Sequence, residues 1–367
     1  HRSRRRRHLP QAIVVGTNFS AVKLSIKQFQ NLQSGLIETP QRILITGGSS
    51  GIGLEACKRL VGRGHHLTLL CRTEERCLET IETLTAKTSK QTEVEGLSIN
   101  LQDLQSVEKG CSIILQKNEP IDTLVLNAGI QNVGIKKPQF TKQALEETFC
   151  VNHLAHQLIV MRLLPLLLRS KKPRLVVTSS EVHNPVSGGG RVGQPATLGA
   201  LEGLRQQNQV AMINGQTIFD ADKAYKDSKL CNILMARHLA DQLKKKGKEI
   251  PVITWSPGLV IPKGQGGFFR TSRRQNPIGL ALFSLIARDI LRLTEMPEKA
   301  GDLLTDLITS HHYEKDRFQY ISNQLTSPGR HSFKEIGTSQ EGENKQLGEQ
   351  LWILSEDLIN RKLLEST

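Results

Sequence analysis

Cysteine, aromatic residues and long apolar runs are all scarce in this chain of 367 residues. The six cysteines form no Cys-x-x-Cys motif and no paired histidine motif, which argues against a metal site and a disulfide framework. They are predicted to be small buried hydrophobic residues in a reducing compartment. The apolar stretch Leu158–Leu168 is too short to cross a bilayer and contains Arg162 and Pro165. We therefore predict neither a metal ion nor a transmembrane helix.

Positive charge is in excess and is unevenly distributed. The formal net charge is +14, with five arginines among the first seven residues and a second cluster at Arg270, Arg273 and Arg274. Such clusters attract anionic partners. Aromatic residues make up 4% of the chain and no nucleic-acid-binding module is recognisable, so we expect no nucleic-acid partner. For the second cluster, solvated charge and contact with a membrane surface both remain open.

The first 41 residues differ in composition from the rest of the chain. They are rich in arginine, contain serine, and have one acidic residue, Glu38, between positions 8 and 41. This composition is typical of organelle transit peptides. Residues 1–41 are therefore predicted to be a leader or tail, residues 42–330 the main folded domain, and residues 331–367 a helical C-terminal extension.

From Arg42 onward, short apolar strands alternate with helices. Strands are predicted at Arg42–Thr46, His66–Cys71, Glu93–Ile99, Thr123–Asn127, Arg174–Ser180 and Val252–Ser256. Helices are predicted at Gly51–Arg63, at Asp103–Asn118, from about Lys142 to Ser170, and at Ala221–Gly247. A further helix is predicted after the strand His66–Cys71 and continues to about Lys87. This alternation is typical of parallel strands with both sheet faces covered. The predicted fold is α/β, a doubly wound parallel sheet (Rossmann fold) that binds ligands beyond the carboxyl ends of its strands.

A glycine-rich turn, Thr46-Gly47-Gly48-Ser49-Ser50-Gly51-Ile52-Gly53, joins the first strand to the first helix. Its G-x-x-x-G-x-G spacing differs from the G-x-G-x-x-G form but relies on the same physics. Small residues let the backbone approach a pyrophosphate, whose charge is stabilised at the helix N-terminus. The turn predicts a dinucleotide cofactor contacted by Gly47, Ser49, Ser50, Gly51, Ile52 and Gly53.

Arginine stands at the end of the second strand, where an acidic residue would favour NADH. An acidic side chain there accepts from the adenosine ribose 2′-hydroxyl and repels a 2′-phosphate. This chain has Arg72 instead, with Arg76 one helical turn further on. Because arginine forms bidentate contacts with phosphate, the pattern favours NADPH over NADH. The alternative is that both arginines are solvated surface groups.

Tyr225 and Lys229 form a Tyr-x-x-x-Lys pair on a predicted helix. Residues four apart share one helix face, so both side chains are expected to point into one pocket. An ammonium near a phenol favours the phenolate and lowers a reference pKa of ~10 toward neutral pH. Alone, such a pair is usually part of a surface helix. Together with the glycine-rich turn, it indicates an oxidoreductase in which Tyr225 exchanges a proton with the substrate.

These motifs resemble those of the short-chain dehydrogenase/reductase family, over about Arg42 to Ile321. The resemblance also includes Asn127-Ala128-Gly129 after the fourth strand, Thr178-Ser179-Ser180 after the fifth, and Ser256-Pro257-Gly258 after the sixth. It implies a catalytic tetrad of Asn152, Ser180, Tyr225 and Lys229, with Ser179 as the alternative to Ser180 and a water held by Asn152. It also implies cofactor contacts from Asn100, Leu101, Asn127, Ala128, Gly129, Tyr225, Lys229, Pro257 and Gly258.

Within this family, the chain resembles the light-dependent protochlorophyllide oxidoreductases. A long insertion, residues 181–220, separates Ser180 from the Tyr-x-x-x-Lys helix, and its sequence resembles theirs. The same is true of the segments Lys223–Asn232 and Leu351–Glu356. Three positions depart from that branch. Leu259 replaces a cysteine implicated at the substrate, Gln131 stands near the place of a tyrosine, and Asn100 replaces an aspartate that follows the third strand. The first two departures imply a different or modified substrate, whereas an amide at position 100 still suits adenine.

The resemblance implies that NADPH delivers a hydride from one side of the substrate while Tyr225 donates a proton from the other. The insertion and a lid segment, residues 261–293, are expected to roof the pocket, because glycines precede an apolar stripe at helical spacing there. That stripe also fits core packing or contact with an anionic membrane.

The leading hypothesis is an NADPH-dependent reductase of a bulky, tetrapyrrole-like substrate in the chloroplast, in the stroma or at the thylakoid surface. One alternative is a carbonyl reductase similar to retinol dehydrogenases. The other is an NADPH-binding structural subunit of a larger plastid assembly, against which an intact tetrad argues.

Overall fold

The apolar runs of the sequence form one twisted sheet. In the computed structural model, described for residues 39–86, 92–132, 134–206, 209–261 and 293–365, the strands are β1 (Arg42–Thr46), β2 (His66–Cys71), β3 (Val94–Ser98), β4 (Thr123–Leu126), β5 (Arg174–Thr178), β6 (Val252–Ser256), β7 (Phe318–Ser327) and β8 (Arg330–Glu335). Their order is β3-β2-β1-β4-β5-β6-β7-β8. Every neighbouring pair is parallel except β7 and β8. The predicted doubly wound parallel sheet is confirmed.

Helices cover both faces of the sheet. They are α1 (Gly51–Arg63), α2 (Glu74–Thr85), α3 (Leu104–Lys117), α4 (Glu147–Leu167), α5 (Glu202–Arg205), α6 (Ala221–Lys245), α7 (Pro297–Thr309) and α8 (Lys345–Leu364). Adjacent residues of a strand point to opposite faces, so Leu124 packs in the core of α3, α4, α6 and α8, whereas Val125 packs in that of α1 and α7. All six cysteines are free and buried, as predicted.

Short polar side chains fix where the helices around the site begin. Thr73 accepts a hydrogen bond from the N–H of Arg76 at the start of α2, and Asp220 accepts from the N–H of Lys223 at the start of α6. Each side chain satisfies an N–H that lacks a partner within its helix. The cap at Asp220 therefore sets the first turn of the helix that carries Tyr225 and Lys229.

Helix α4 begins about one turn later than the sequence predicts. Ala144 has a left-handed backbone, with φ of 58°. The carboxylate of Glu146 then accepts from the N–H groups of Thr148 and Phe149, which starts the helix at Glu147. By length and composition α4 is a candidate membrane span, but 78% of its apolar window is buried, as expected of a core helix. It forms part of the core beneath the site.

Strands β7 and β8 were not predicted as strands. β8 is a mainly polar edge strand that pairs antiparallel with β7, so it lacks the apolar pattern of a buried parallel strand. It lies in the segment 331–367, for which only helix was expected, and α8 follows it. The C-terminal segment therefore completes the sheet as well as covering α6. Most of the predicted leader, residues 1–38, and of the predicted lid, residues 262–292, lies outside the described residues.

Candidate active site

A cleft of about 2020 Å³ lies beyond the carboxyl ends of β1 to β6. The loop after each of these strands contributes to its lining, as expected for an open parallel sheet. All the predicted cofactor contacts line it: Gly47, Ser49, Ser50, Gly51, Ile52, Gly53, Arg72, Arg76, Asn100, Leu101, Asn127, Ala128, Gly129, Tyr225, Lys229, Pro257 and Gly258. Ser180 lines it too, whereas Asn152 lies behind the wall. The fold thus gathers residues more than 200 positions apart in one place.

The glycine-rich turn, called the glycine cradle below, packs too closely on its own backbone and on the loop after β4 to admit side chains at Gly47 and Gly53. Gly47 has a φ of 70°, and a Cβ atom there would lie 2.8 Å from the Cα atom of Ala128. A Cβ atom at Gly53 would lie 2.2 Å from the carbonyl oxygen of Gly47. Ser50 is the extended N-cap of α1, and no side chain caps this terminus or places an acidic group in its first turn, among the described residues. The turn therefore presents the positive end of a helix dipole to the cleft.

Thr46 and His156 hold the turn against the loop after β4, and neither was assigned a role from sequence. The Thr46 hydroxyl accepts from the N–H groups of Asn127 and Ala128, at 2.9 and 3.0 Å. It lies 3.0 Å from Nε2 of His156, whose Nδ1 lies 3.0 Å from the carbonyl oxygen of Asn152. This pattern requires a neutral ring that donates from Nδ1 and accepts at Nε2. Burial lowers the pKa of His156 to about 4, which keeps the ring neutral.

Tyr225, Lys229 and Ser180 meet at the inner end of the cleft. Lys229 Nζ lies 5.5 Å from the centre of the Tyr225 ring and donates to the carbonyl oxygen of Thr178 at 3.2 Å. The Tyr225 phenol and the Ser180 hydroxyl share a hydrogen bond. Ser179 points away, because its hydroxyl donates to the backbone carbonyl of Lys229 at 2.8 Å. Of the two serines, Ser180 is the one beside the phenol.

The pKa values in this group follow from burial. Burial raises the pKa of Tyr225, and the hydrogen bond from Ser180 only partly opposes this shift. The prediction that the pKa of Tyr225 is lowered is therefore wrong for the protein without ligands, because burial is the largest influence and raises it. Burial also lowers the pKa of Lys229 to about 8. A phenol that stays protonated at neutral pH is suited to donate a proton.

Asn152 links the loop after β4 to α6. It lies in a π-helical turn, Cys150–Leu154, within α4. Its side-chain oxygen accepts from the N–H of Ile130 at 2.8 Å, and its amide donates to the carbonyl of Ile130 and the hydroxyl of Ser228, both at 3.0 Å. These contacts hold the loop next to Lys229. The water implied at Asn152 stays a prediction.

The opposite end of the cleft carries the two predicted arginines. Both are exposed. Arg76 donates to the carbonyl oxygen of Ser49 at 3.3 Å and pairs with Glu79 at 2.9 Å. Arg72 lines the same end, next to Thr73. The side-chain oxygen of Asn100 accepts from the N–H of Gln102, which shapes the loop after β3. Two guanidinium groups therefore border the cleft beyond the end of β2.

The first part of the insertion, between Glu181 and Gly193, lines one side of the cleft and is held by a buried lysine. Lys226 donates to the carbonyl oxygens of Gly190, Val192 and Gln194, and burial lowers the pKa of its amine. Gln131 and Leu259, two of the departures from the branch pattern, both line the cleft. Leu259 places an alkyl group where those enzymes have a thiol.

Comparisons with known proteins identify the family of this chain. The family model described as short chain dehydrogenase matches residues 41–192. A protochlorophyllide reductase of Avena sativa is 30% identical over 335 residues, which cover 86% of this chain and 99% of that protein. The chloroplastic protochlorophyllide reductase A of Oryza sativa subsp. japonica is 30% identical over 327 residues, covering 86% and 80%.

Two solved structures show the same fold. An uncharacterised protein from Mycobacterium paratuberculosis is 22% identical, with a TM-score of 0.59 and coverage of 87% of this chain and 93% of that one. The L-sorbose reductase of Gluconobacter frateurii is 15% identical, with a TM-score of 0.52 and coverage of 78% and 96%. The chain therefore belongs to the short-chain dehydrogenase/reductase family of oxidoreductases and is related within it to the protochlorophyllide reductases.

Proposed function

We propose that this chain is an NADPH-dependent reductase of a bulky conjugated substrate, with Tyr225 as the proton donor. The observation that carries the proposal is the meeting of Tyr225, Ser180 and Lys229 at the inner end of a cleft whose other end holds the glycine cradle and two arginines. The glycine-rich turn suits a pyrophosphate because it places the N-terminus of α1, which no described side chain caps and whose first turn contains no acidic residue, beside the cleft. Gly129, Pro257 and Gly258, which line the same cleft, would border the nicotinamide.

The proposed role of each residue follows from the position of its side chain in the cleft. Bound NADPH supplies a hydride. Tyr225 holds its proton at neutral pH and presents it to the cleft, while Ser180 orients both the phenol and a substrate oxygen. Lys229 lies beside the phenol ring and favours the negative charge that forms when the proton leaves. General acid catalysis of this kind contributes ~10²–10⁴-fold to the rate.

Arg72→Ala is expected to weaken NADPH binding by about tenfold or more and to leave NADH binding nearly unchanged, because only NADPH carries a 2′-phosphate for the guanidinium. Dissociation constants for both cofactors, measured by fluorescence titration at one ionic strength, test this. Arg162→Ala is the control, since Arg162 pairs with Glu108 away from the cleft. Equal losses for NADPH and NADH would contradict the assignment.

The substrate class has two candidates. A tetrapyrrole is supported by the relatives named protochlorophyllide reductase. A carbonyl compound is favoured by the Ser180–Tyr225 hydrogen bond, which suits a substrate oxygen, and by Leu259 in place of a thiol. Because relatives are named chloroplastic, we propose a plastid location.

The deciding experiment mixes purified protein with NADPH and screens protochlorophyllide, in light and in darkness, beside a panel of bulky aldehydes and ketones. Reduction that depends on illumination selects the tetrapyrrole, and oxidation of NADPH in darkness by a carbonyl compound selects the second candidate. NADPH that binds tightly without turnover of any compound would contradict the proposed reductase and support a structural role for the bound cofactor.

A further inference from the structure

Two titratable side chains in the cleft wall have no part in the mechanism above. Glu181 directly follows Ser180 and starts a short 3₁₀ turn, and His331 lies in β8. Both line the same cleft as Tyr225. They come from segments 150 residues apart, and neither belongs to a motif singled out in the sequence.

The backbone around Glu181 is fixed while its carboxyl group is left free for a ligand. Its N–H donates to the Ser256 hydroxyl at 2.9 Å, and its carbonyl oxygen accepts from the Ser187 hydroxyl at 2.8 Å. The carboxyl oxygens have no hydrogen-bond donor within the described ranges of the chain. Burial raises the pKa of this group, and His331 opposes the shift, so the two side chains interact electrostatically.

His331 carries a buried nitrogen without a partner. Its side chain is 10% exposed, and its Nδ1 faces a carboxylate oxygen of Glu295 at 3.7 Å. Nε2 is buried and has no hydrogen-bond partner among the residues that the structure describes. Burying a polar atom without a hydrogen bond costs free energy. Such an atom beside a cleft therefore indicates a ligand that supplies the missing hydrogen bond.

Polar contacts fix His331 relative to the turn that would border the nicotinamide. Asn323 donates to the carbonyl oxygen of Pro257 and to Glu295, both at 3.1 Å. A Cβ atom at Gly258 would lie 2.9 Å from the carbonyl oxygen of Asn323, so the turn and β7 pack closely. The position of His331 is thus set by Glu295, which Asn323 in turn holds.

We propose that Glu181 and His331 form a substrate subsite that binds a hydroxyl group on an otherwise apolar substrate. A hydroxyl carries one proton and two lone pairs, so it can donate to the carboxylate of Glu181 while its oxygen accepts from an N–H at Nε2 of His331. The surrounding lining includes Val182, Leu259 and Leu325, which suits the apolar remainder of the molecule. The subsite rests on the proposed reductase function and specifies which substrates it prefers.

The test compares 6-hydroxy-2-naphthaldehyde with 6-methoxy-2-naphthaldehyde, which differ in a single hydrogen-bond donor. Dissociation constants are measured by fluorescence on the protein saturated with NADP⁺, so binding is read without turnover, and NADPH oxidation is measured separately. The wild type is expected to bind the hydroxy compound about tenfold more tightly, as for a hydrogen bond to a charged group. Glu181→Leu removes this preference, and Glu181→Gln and His331→Phe each reduce it severalfold.

Glu298→Gln is the matched control, because Glu298 is an exposed carboxylate elsewhere in the lining of the same cleft. This variant should keep the preference, and every variant should bind NADP⁺ as the wild type does. Equal affinities for the two aldehydes, or no binding of either at millimolar concentration, would overturn the subsite. A preference for the hydroxy compound without NADPH oxidation by any substrate would instead leave the subsite standing and count against the reductase.

Discussion

Replacing Tyr225 by phenylalanine is expected to lower kcat by ~10²–10⁴-fold, because the variant keeps the ring but loses the only proton that the phenol can donate. Tyr225 is buried, and the pKa of its phenol is raised, so at neutral pH the wild-type hydroxyl is protonated and ready to donate. The substitution keeps the ring and its place in α6, so the fold and the cofactor end of the cleft should be unaffected. Affinity for NADPH should therefore change by no more than about twofold.

The measurement pairs steady-state kcat, on whichever substrate the screen identifies, with fluorescence titration of NADPH. Tyr320→Phe is the control, because Tyr320 is a second buried tyrosine, lies outside the cleft lining and also loses only its hydroxyl. Its kcat should stay close to that of the wild type. If the Tyr225→Phe enzyme turned over at the full rate, the proton would have to come from another group.

The parts of the fold that depend on local patterns could be predicted from the sequence. The bounds of Arg42–Thr46, Gly51–Arg63, His66–Cys71 and Val252–Ser256 match the predicted ones. In each case a short apolar run, or a glycine turn with a helix after it, carries its own signal. The same holds for the Tyr-x-x-x-Lys pair, because residues four apart on a helix must share a face.

Properties that depend on long-range contacts could not be predicted. His156 lies one helical turn after Asn152, and this spacing was the available signal, but its bond to Thr46 crosses 110 positions of the chain. The raised pKa of Tyr225 depends on its burial in the finished fold, which the hydrogen bond with Ser180 only partly opposes. β8 lacks an apolar pattern because it forms the edge of the sheet. Each of these needs the tertiary structure to be known first.

The anchoring of the insertion is another such long-range feature, and it leads to a prediction for stability. Lys223 and Asp227 form an ion pair at 2.6 Å, with side chains 2% and 1% exposed. Together they bind the backbone of the insertion, since Lys223 donates to the carbonyl of Thr197 at 2.8 Å and Asp227 accepts from its N–H at 3.0 Å. Burial raises the pKa of Asp227 to about 7, and Lys223 opposes that shift.

Lys223→Met is therefore expected to lower the free energy of unfolding by about 3–5 kcal/mol, because it leaves a buried carboxylate without its cation. Urea unfolding at pH 7 measures the loss as a fall in the midpoint at constant slope. The matched control is Lys345→Met, which removes a largely exposed lysine paired with Asp241 of the same helix α6 and should cost less than about 1 kcal/mol.

Two further measurements separate an uncompensated charge from simple loss of packing. The double variant Lys223→Met, Asp227→Leu should recover about half of the loss, since it removes the charge that the single variant strands. The pH dependence has a definite sign. A carboxyl whose folded pKa lies above its unfolded value of ~3.9 binds a proton that the unfolded chain releases, so stability falls as pH rises toward the folded pKa. Removing Lys223 raises that folded pKa further. The difference in the free energy of unfolding between the wild type and Lys223→Met should therefore increase above a pH of about 7. If Lys223→Met lost no more stability than Lys345→Met at any pH, the ion pair would not anchor the insertion.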